Sequence, residues 1–191
     1  MPDGDPAFER INSFALVGYI PGHLGDFISE LRAQLVSGCL AQSHVSILPP
    51  RPLFIDTAVA EAEICSRVAS FSPLELEFTE IRLFEQTSVI YADLGTGRED
   101  LIQIHDALND GAIEFDEPFL PSPHHPGARI APEHLFSLYE LTVRKWKEGL
   151  PDRSFPVRNL TFVQNTVTNV WIDLADCKLA GAMGYQVLET I

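Results

Sequence analysis

Basic residues are scarce in this chain: 13 lysines and arginines stand against 27 aspartates and glutamates, a net charge of -14 over 191 residues. Binding to a polyanion draws its affinity from cations that displace counterions, so this balance excludes long nucleic acid as a resident partner. It leaves room for a local basic spot that holds one phosphate. Cysteine is also sparse. Cys39, Cys65 and Cys177 are odd in number, widely spaced and without a Cys-x-x-Cys pair, so neither a disulfide framework nor a zinc ribbon is expected, and a reducing compartment fits. No apolar run approaches the length of a membrane span. The start, Met1-Pro2-Asp3-Gly4-Asp5-Pro6, lacks the positive region and apolar core of a signal peptide, so the expected setting is cytoplasmic and soluble, with no membrane contact. Nucleotide loops are missing too: Asp93-Leu94-Gly95-Thr96-Gly97-Arg98-Glu99 matches neither Gly-x-Gly-x-x-Gly nor the Walker pattern and reads as a turn, with Thr96 and Glu99 forming a capping box.

What is present is apolar substance, 46% of the residues, in a chain within the size range of one compact domain, here taken as residues 1–191. Within it, Ser43-His44-Val45-Ser46-Ile47-Leu48-Pro49-Pro50 and, 80 residues later, Pro123-His124-His125-Pro126 place histidines in comparable settings. Imidazoles titrate near neutrality, so two of them facing one phosphoryl group serve as base and acid, and a hydroxyl such as that of Ser46 hydrogen-bonds a phosphate oxygen. Against this stands the commoner fate of a histidine in an apolar strand, which is to be packed and satisfied.

Periodicity supplies the elements. Residues 13–20 form an apolar strand that stops at Pro21-Gly22, and Leu24, Phe27, Ile28, Leu31 and Leu35 make a helical stripe. The next strand puts His44 and Ser46 on one face and Val45 and Ile47 on the other, and ends at Pro49-Pro50. Asp56 caps a helix to about Ala69, with Val59, Ala62, Cys65 or Ile64, and Val68 or Ala69 turned inward. A hairpin follows from Leu74 to Tyr91, breaking near Gln86-Thr87, and completes a first half. Leu101, Ile104 and Leu108 mark a helix. The irregular stretch from Phe115 to Ala131, with four prolines, is the kind of loop that carries function. Pro132-Glu133 opens a helix with Leu135, Leu138, Tyr139, Thr142 and Trp146 on one side, and strands are expected at 157–163, 170–175 and 183–188.

The stretches Ala15-Leu16-Val17-Gly18-Tyr19-Ile20-Pro21-Gly22-His23-Leu24-Gly25-Asp26-Phe27, His44-Val45-Ser46-Ile47-Leu48-Pro49-Pro50-Arg51-Pro52-Leu53 and Glu117-Pro118-Phe119 leading to Pro123-His124 resemble the 2H phosphoesterases, in particular the 2′-5′ RNA ligase-like proteins. The resemblance implies an α+β, bilobal, pseudo-symmetric fold in which two antiparallel sheets flank a central cleft with helices outside. It further implies metal-independent opening of a cyclic or 2′-5′ phosphodiester of a small nucleotide or RNA end. No cofactor is required, and a monomer is expected. His44 and Ser46 match the first His-x-Thr/Ser signature. In the second, His124 keeps the histidine, but Pro126 stands where the hydroxyl belongs and offers no side-chain donor. His125-Pro126-Gly127 is an alternative registration with the same deficit. His124 is preferred because it follows Pro123 and leaves Glu133 near its expected distance. Arg51 and Arg129 are candidate substrate-binding cations.

Two other readings compete. A non-catalytic member of the same fold would use His44, Ser46 and His124 to recognise a phosphorylated ligand, and Pro126 supports it. A metal hydrolase would draw on His124, His125, Asp116 and Glu117, but no His-Glu-x-x-His spacing exists, and adjacent histidines on an extended segment point to opposite faces. His23, His105 and His134 fall in or near helices without an evident partner, and Glu75, Glu77, Glu80 and Asp152 read as solvated faces.

Overall fold

Alternating apolar residues build two four-stranded antiparallel sheets, seen in a computed structural model that describes residues 9–37, 39, 41–116, 127–149 and 152–181. The first sheet has the order β2-β1-β7-β8, formed by β1 (Arg10–Tyr19), β2 (His44–Arg51), β7 (Asn159–Thr166) and β8 (Trp171–Lys178). The second has the order β5-β4-β3-β6, formed by β3 (Leu74–Phe84), β4 (Val89–Leu94), β5 (Gly127–Arg129) and β6 (Ser154–Val157). Helices α1 (Gly22–Leu35), α2 (Thr57–Val68), α3 (Arg98–Leu108) and α4 (Leu135–Glu148) join and cover them. This is the expected α+β architecture of two similar antiparallel sheets. The lobes are not successive halves of the chain, however. The hairpin expected to finish a first half belongs to the second sheet, and the first sheet is completed by β7 and β8 from the C-terminal part.

One continuous apolar cluster draws on both sheets and all four helices, with Leu16, Val45, Ile64, Leu76, Leu108 and Leu160 among its most deeply buried members. Phe14 of β1 and Phe162 of β7 stack at 5.5 Å within it. Buried side chains of this kind each contribute about 1.5 to 3 kcal/mol relative to exposure. Among the described residues no helix is long and apolar enough to cross a membrane.

Several local expectations need correction. β2 continues through Pro49 and Pro50 to Arg51, because β2 is an edge strand: only one of its sides pairs, so a missing N–H costs no ladder bond. The Asp56 cap forms, its Oδ1 accepting from the N–H groups of Ala58 and Val59 at 2.9 and 3.4 Å, but the buried stripe of α2 is Ala60, Ile64 and Val68, leaving Val59 exposed. The capping box does not form. Thr96 Oγ1 instead donates to Glu77 Oε2 at 2.9 Å, and α3 starts from Gly97, which sits at φ +80°. Finally, Cys65 of α2 and Cys177 of β8 form a disulfide, their Cα atoms 4.6 Å apart. The expectation of unpaired cysteines fails because α2 packs on β8, a contact spanning 112 residues that spacing does not reveal. The strand expected at 183–188 lies outside the described residues.

Candidate functional site

The face of the first sheet turned away from the main core carries Ala15, Val17 and Tyr19 of β1, and cross-strand pairing brings the first His motif beside them: Tyr19 pairs with His44 and Val17 with Ser46. These residues line a cavity of about 350 Å³ together with Val163, Trp171 and Asp173. Its floor is apolar, with Ala15, Val17 and Val163 packed together and flanked by Tyr19 and Trp171. The alternation that puts His44 and Ser46 on one face is therefore realised, and both look into an open space large enough for a small ligand.

His44 is partly buried, and its Nδ1 lies 2.7 Å from the carbonyl oxygen of Gln42. A carbonyl only accepts, so Nδ1 carries the hydrogen and Nε2 is the ring nitrogen with a lone pair. Burial lowers the pKa of the ring below the usual imidazole value. The bond to Gln42 opposes this, and the positive charge of Arg32 adds to the lowering. The neutral form with a basic Nε2 is thus favoured at neutral pH. Ser46 stands two residues on, its hydroxyl on the same face.

Arg51 does not join them. It is buried at 3% exposure, its Nε donates to Pro49 O at 3.1 Å, and its Nη1 donates to Asn109 Oδ1 at 2.5 Å and to Ile113 O at 3.4 Å. Its guanidinium also lies 5.9 Å over the Phe115 ring. This geometry ties β2 to the end of α3, and Arg51, a candidate substrate-binding cation by sequence, is not among the described residues that line the His44 cavity. Arg129 is exposed on β5, opposite Val89 in the ladder, while its neighbour Ala128 enters the core. It therefore shares with Tyr91 the face of the second sheet that points away from the core.

That face is strongly polar. Asp93 accepts from Arg82 Nε at 3.0 Å and from Arg98 Nη2 at 2.5 Å, while Phe84 and Tyr91 stack at 4.3 Å. His124, His125, Pro126 and Glu117 lie outside the described residues, so the second His motif and most of the ligand set of the metal reading do too. Asp116 is exposed.

Sequence reasoning missed Tyr19, Trp171 and Asp173. The period of two already placed Trp171 and Asp173 on one face of a strand, and Tyr19 with Val17 and Ala15 on one face of another. What it could not supply was the strand order that sets β8 and β1 around the same cavity. Tyr19 Oη donates to Asp173 Oδ1 at 2.5 Å across the intervening β7, and burial together with Asp173 raises the tyrosine pKa well above its ordinary value.

Comparison with known proteins agrees with this architecture. No curated protein matches by sequence. Among solved structures, Escherichia coli LigT complexed with ATP has a TM-score of 0.62 at 14% identity, covering 90% of this chain and 99% of LigT. LigT complexed with NADP+ has a TM-score of 0.59 at 15% identity over 90% and 98%. Usb1 of Kluyveromyces marxianus has a TM-score of 0.52 at 12% identity over 85% of this chain and 97% of its own. At such identities the likeness is one of fold. The sequence itself goes further: the model of the 2'-5' RNA ligase superfamily matches residues 20–169, a span that includes the His44-Val45-Ser46 strand, and the chain belongs to that superfamily.

Proposed function

We propose that this protein is a metal-independent phosphodiesterase acting on a cyclic or 2′-5′ phosphodiester of a small nucleotide or RNA end. The observation that carries the reading is the neutral His44 ring, held by Gln42 with Nε2 as its basic nitrogen, beside the Ser46 hydroxyl in a cavity of about 350 Å³. Family membership supports it, as do the ATP and NADP+ complexes of LigT, a protein of like fold. In the proposed step, water adds to phosphorus and gives its proton to His44 Nε2. The bond from phosphorus to the leaving oxygen breaks, and that oxygen takes a proton from a second imidazole, for which His124 is the candidate by its motif. Ser46 donates to a non-bridging oxygen, and Arg129 supplies positive charge from the second sheet.

Pro126 favours a second reading, in which the cleft binds a phosphorylated ligand without turning it over. The two are separated by measuring hydrolysis of a nucleoside 2′,3′-cyclic phosphate by the wild-type protein and by His44→Ala, with a chelator present. Chelator-resistant turnover abolished by the substitution is the result expected. Binding without turnover selects the second reading, and turnover unchanged by His44→Ala overturns the assignment of the site.

A further inference from the structure

The cavity has two unlike ends. At the β2 end stand His44 and Ser46, and at the β8 end stand Asp173 and Trp171, three strand-to-strand steps away across the sheet, or about 14 Å. Between them lies the apolar floor of Ala15, Val17 and Val163. The charge at the far end is not neutralised. Asp173 forms no ion pair with a lysine or arginine among the described residues, and its partner is the neutral Tyr19 hydroxyl at 2.5 Å. On the second sheet the opposite choice is made, since Asp93 is bonded to both Arg82 and Arg98.

We propose that Asp173, positioned by Tyr19, determines specificity: it accepts from a neutral donor group on the part of the substrate remote from the phosphoryl centre and rejects substrates carrying a second anionic group there. This rests on the reading of the His44 end as a phosphoryl site. A carboxylate accepts hydrogen bonds through two oxygens, and the Tyr19 hydroxyl occupies one, so the other is available to a ribose hydroxyl or an exocyclic amine. A second phosphate drawn over the apolar floor comes within a few ångströms of a like charge that no lysine or arginine among the described residues neutralises, and at contact distance that repulsion persists even though Asp173 is exposed to solvent. Tyr19 does not itself carry charge, because burial and the neighbouring carboxylate hold its hydroxyl protonated. It fixes the Asp173 carboxylate against the sheet, so that the rejection acts at one end of the cavity alone. Of the two substrates in the proposed function, this selects the small nucleotide, with one phosphoryl group and an uncharged remainder, over the RNA end, whose further phosphates are anionic.

The test uses affinity, which can be read whether or not turnover occurs. Calorimetric titration compares adenosine 2′-monophosphate with adenosine 2′,5′-bisphosphate on the full chain for wild type, Asp173→Asn and Tyr19→Phe. Wild type is expected to bind the monophosphate at least tenfold more tightly. Asp173→Asn, which keeps the shape and the tyrosine contact, is expected to bring the two affinities within about twofold, chiefly by improving the bisphosphate. Tyr19→Phe retains the carboxylate and is expected to retain a preference of the same sign. Equal affinities in wild type, or a preference that survives Asp173→Asn, overturn the inference while leaving the phosphodiesterase reading intact. Failure of wild type to bind either nucleotide, with no turnover of a 2′,3′-cyclic phosphate, overturns both.

Discussion

At the scale of single residues, His44 concentrates the chemistry, and its environment makes the pH dependence calculable in sign. Its folded pKa is lowered by burial, so the folded protein binds a proton at this ring less readily than the unfolded chain, whose imidazole titrates near about 6.5. If Nε2 is the base, kcat/KM rises with pH through a limb centred below about 6.5, and the second imidazole, which must be protonated to act as acid, supplies the falling limb; a rising limb centred above about 7 would contradict the role of His44. Stability follows the same sign. The stabilisation associated with the neutral ring is present above the unfolded value and is lost as pH falls through 6.5 toward the folded value, so urea midpoints of wild type should drop between pH 7.5 and 5 by more than those of His44→Gln. Ser46 gives a separate expectation. Removing one pre-positioned donor to a phosphoryl oxygen is expected to lower kcat about 10²- to 10³-fold, so Ser46→Ala should do so in steady-state assays while its melting temperature stays close to wild type. This pair was legible from the chain because a period of two needs only local information. Arg51 was not: its burial against Asn109 and Ile113 depends on where α3 ends in space, which no neighbour in sequence encodes.

At the scale of elements, local rules succeed where packing agrees with them and fail where a tertiary contact competes. The Asp56 cap and the buried Leu135, Thr142 and Trp146 of α4 fall where periodicity sets them. The start of α3 does not, because Thr96 reaches Glu77 on the neighbouring strand and the chain turns through Gly97 in the left-handed region. A Cβ at Gly97 would stand 2.3 Å from Leu76 Cδ2 and 2.6 Å from the carbonyl oxygen of Glu75, so neither the backbone angle nor the space admits a side chain. The conformational cost of a non-glycine residue there is about 1 to 2 kcal/mol, and the contact with β3 adds to it. Gly97→Ala is therefore expected to destabilise by about 2 to 3 kcal/mol in chemical denaturation, whereas Thr96→Ala, which removes one exposed hydrogen bond, should cost under about 1 kcal/mol. Equal effects would mean that the threonine, as the sequence pattern suggests, is the true start signal. The extension of β2 through Pro49 and Pro50 follows a similar logic: proline is read from sequence as a stop, but whether its missing N–H matters depends on whether the strand is an edge, and that is a property of the sheet.

At the scale of the whole molecule, the hydrophobic pattern specifies two sheets without saying which strands share them. The interleaving of β1 and β2 with β7 and β8 pairs residues roughly 150 apart, such as Phe14 with Gln164, and it is this closure that brings Asp173 to the His44 cavity. The disulfide between Cys65 and Cys177 spans the same closure, fastening α2 to the outermost strand of the first sheet. In the chain-entropy account, a crosslink across 112 residues restricts the unfolded ensemble by about 4 to 5 kcal/mol. For a chain of this size each 1 kcal/mol moves the melting temperature by about 2 to 4 °C, so reduction, or Cys65→Ala, should lower it by about 8 to 20 °C. Because β8 carries Trp171 and Asp173, the loss should register at the far end of the cavity before the near end: the reduced protein should lose discrimination between mono- and bisphosphorylated nucleotides at temperatures where the His44-dependent rate persists. Thermal melts and nucleotide titrations with and without a dithiol reductant decide the matter. A melting temperature unmoved by reductant and by Cys65→Ala alike would show that the packing of α2 on β8 suffices to hold the edge of the sheet without the covalent link.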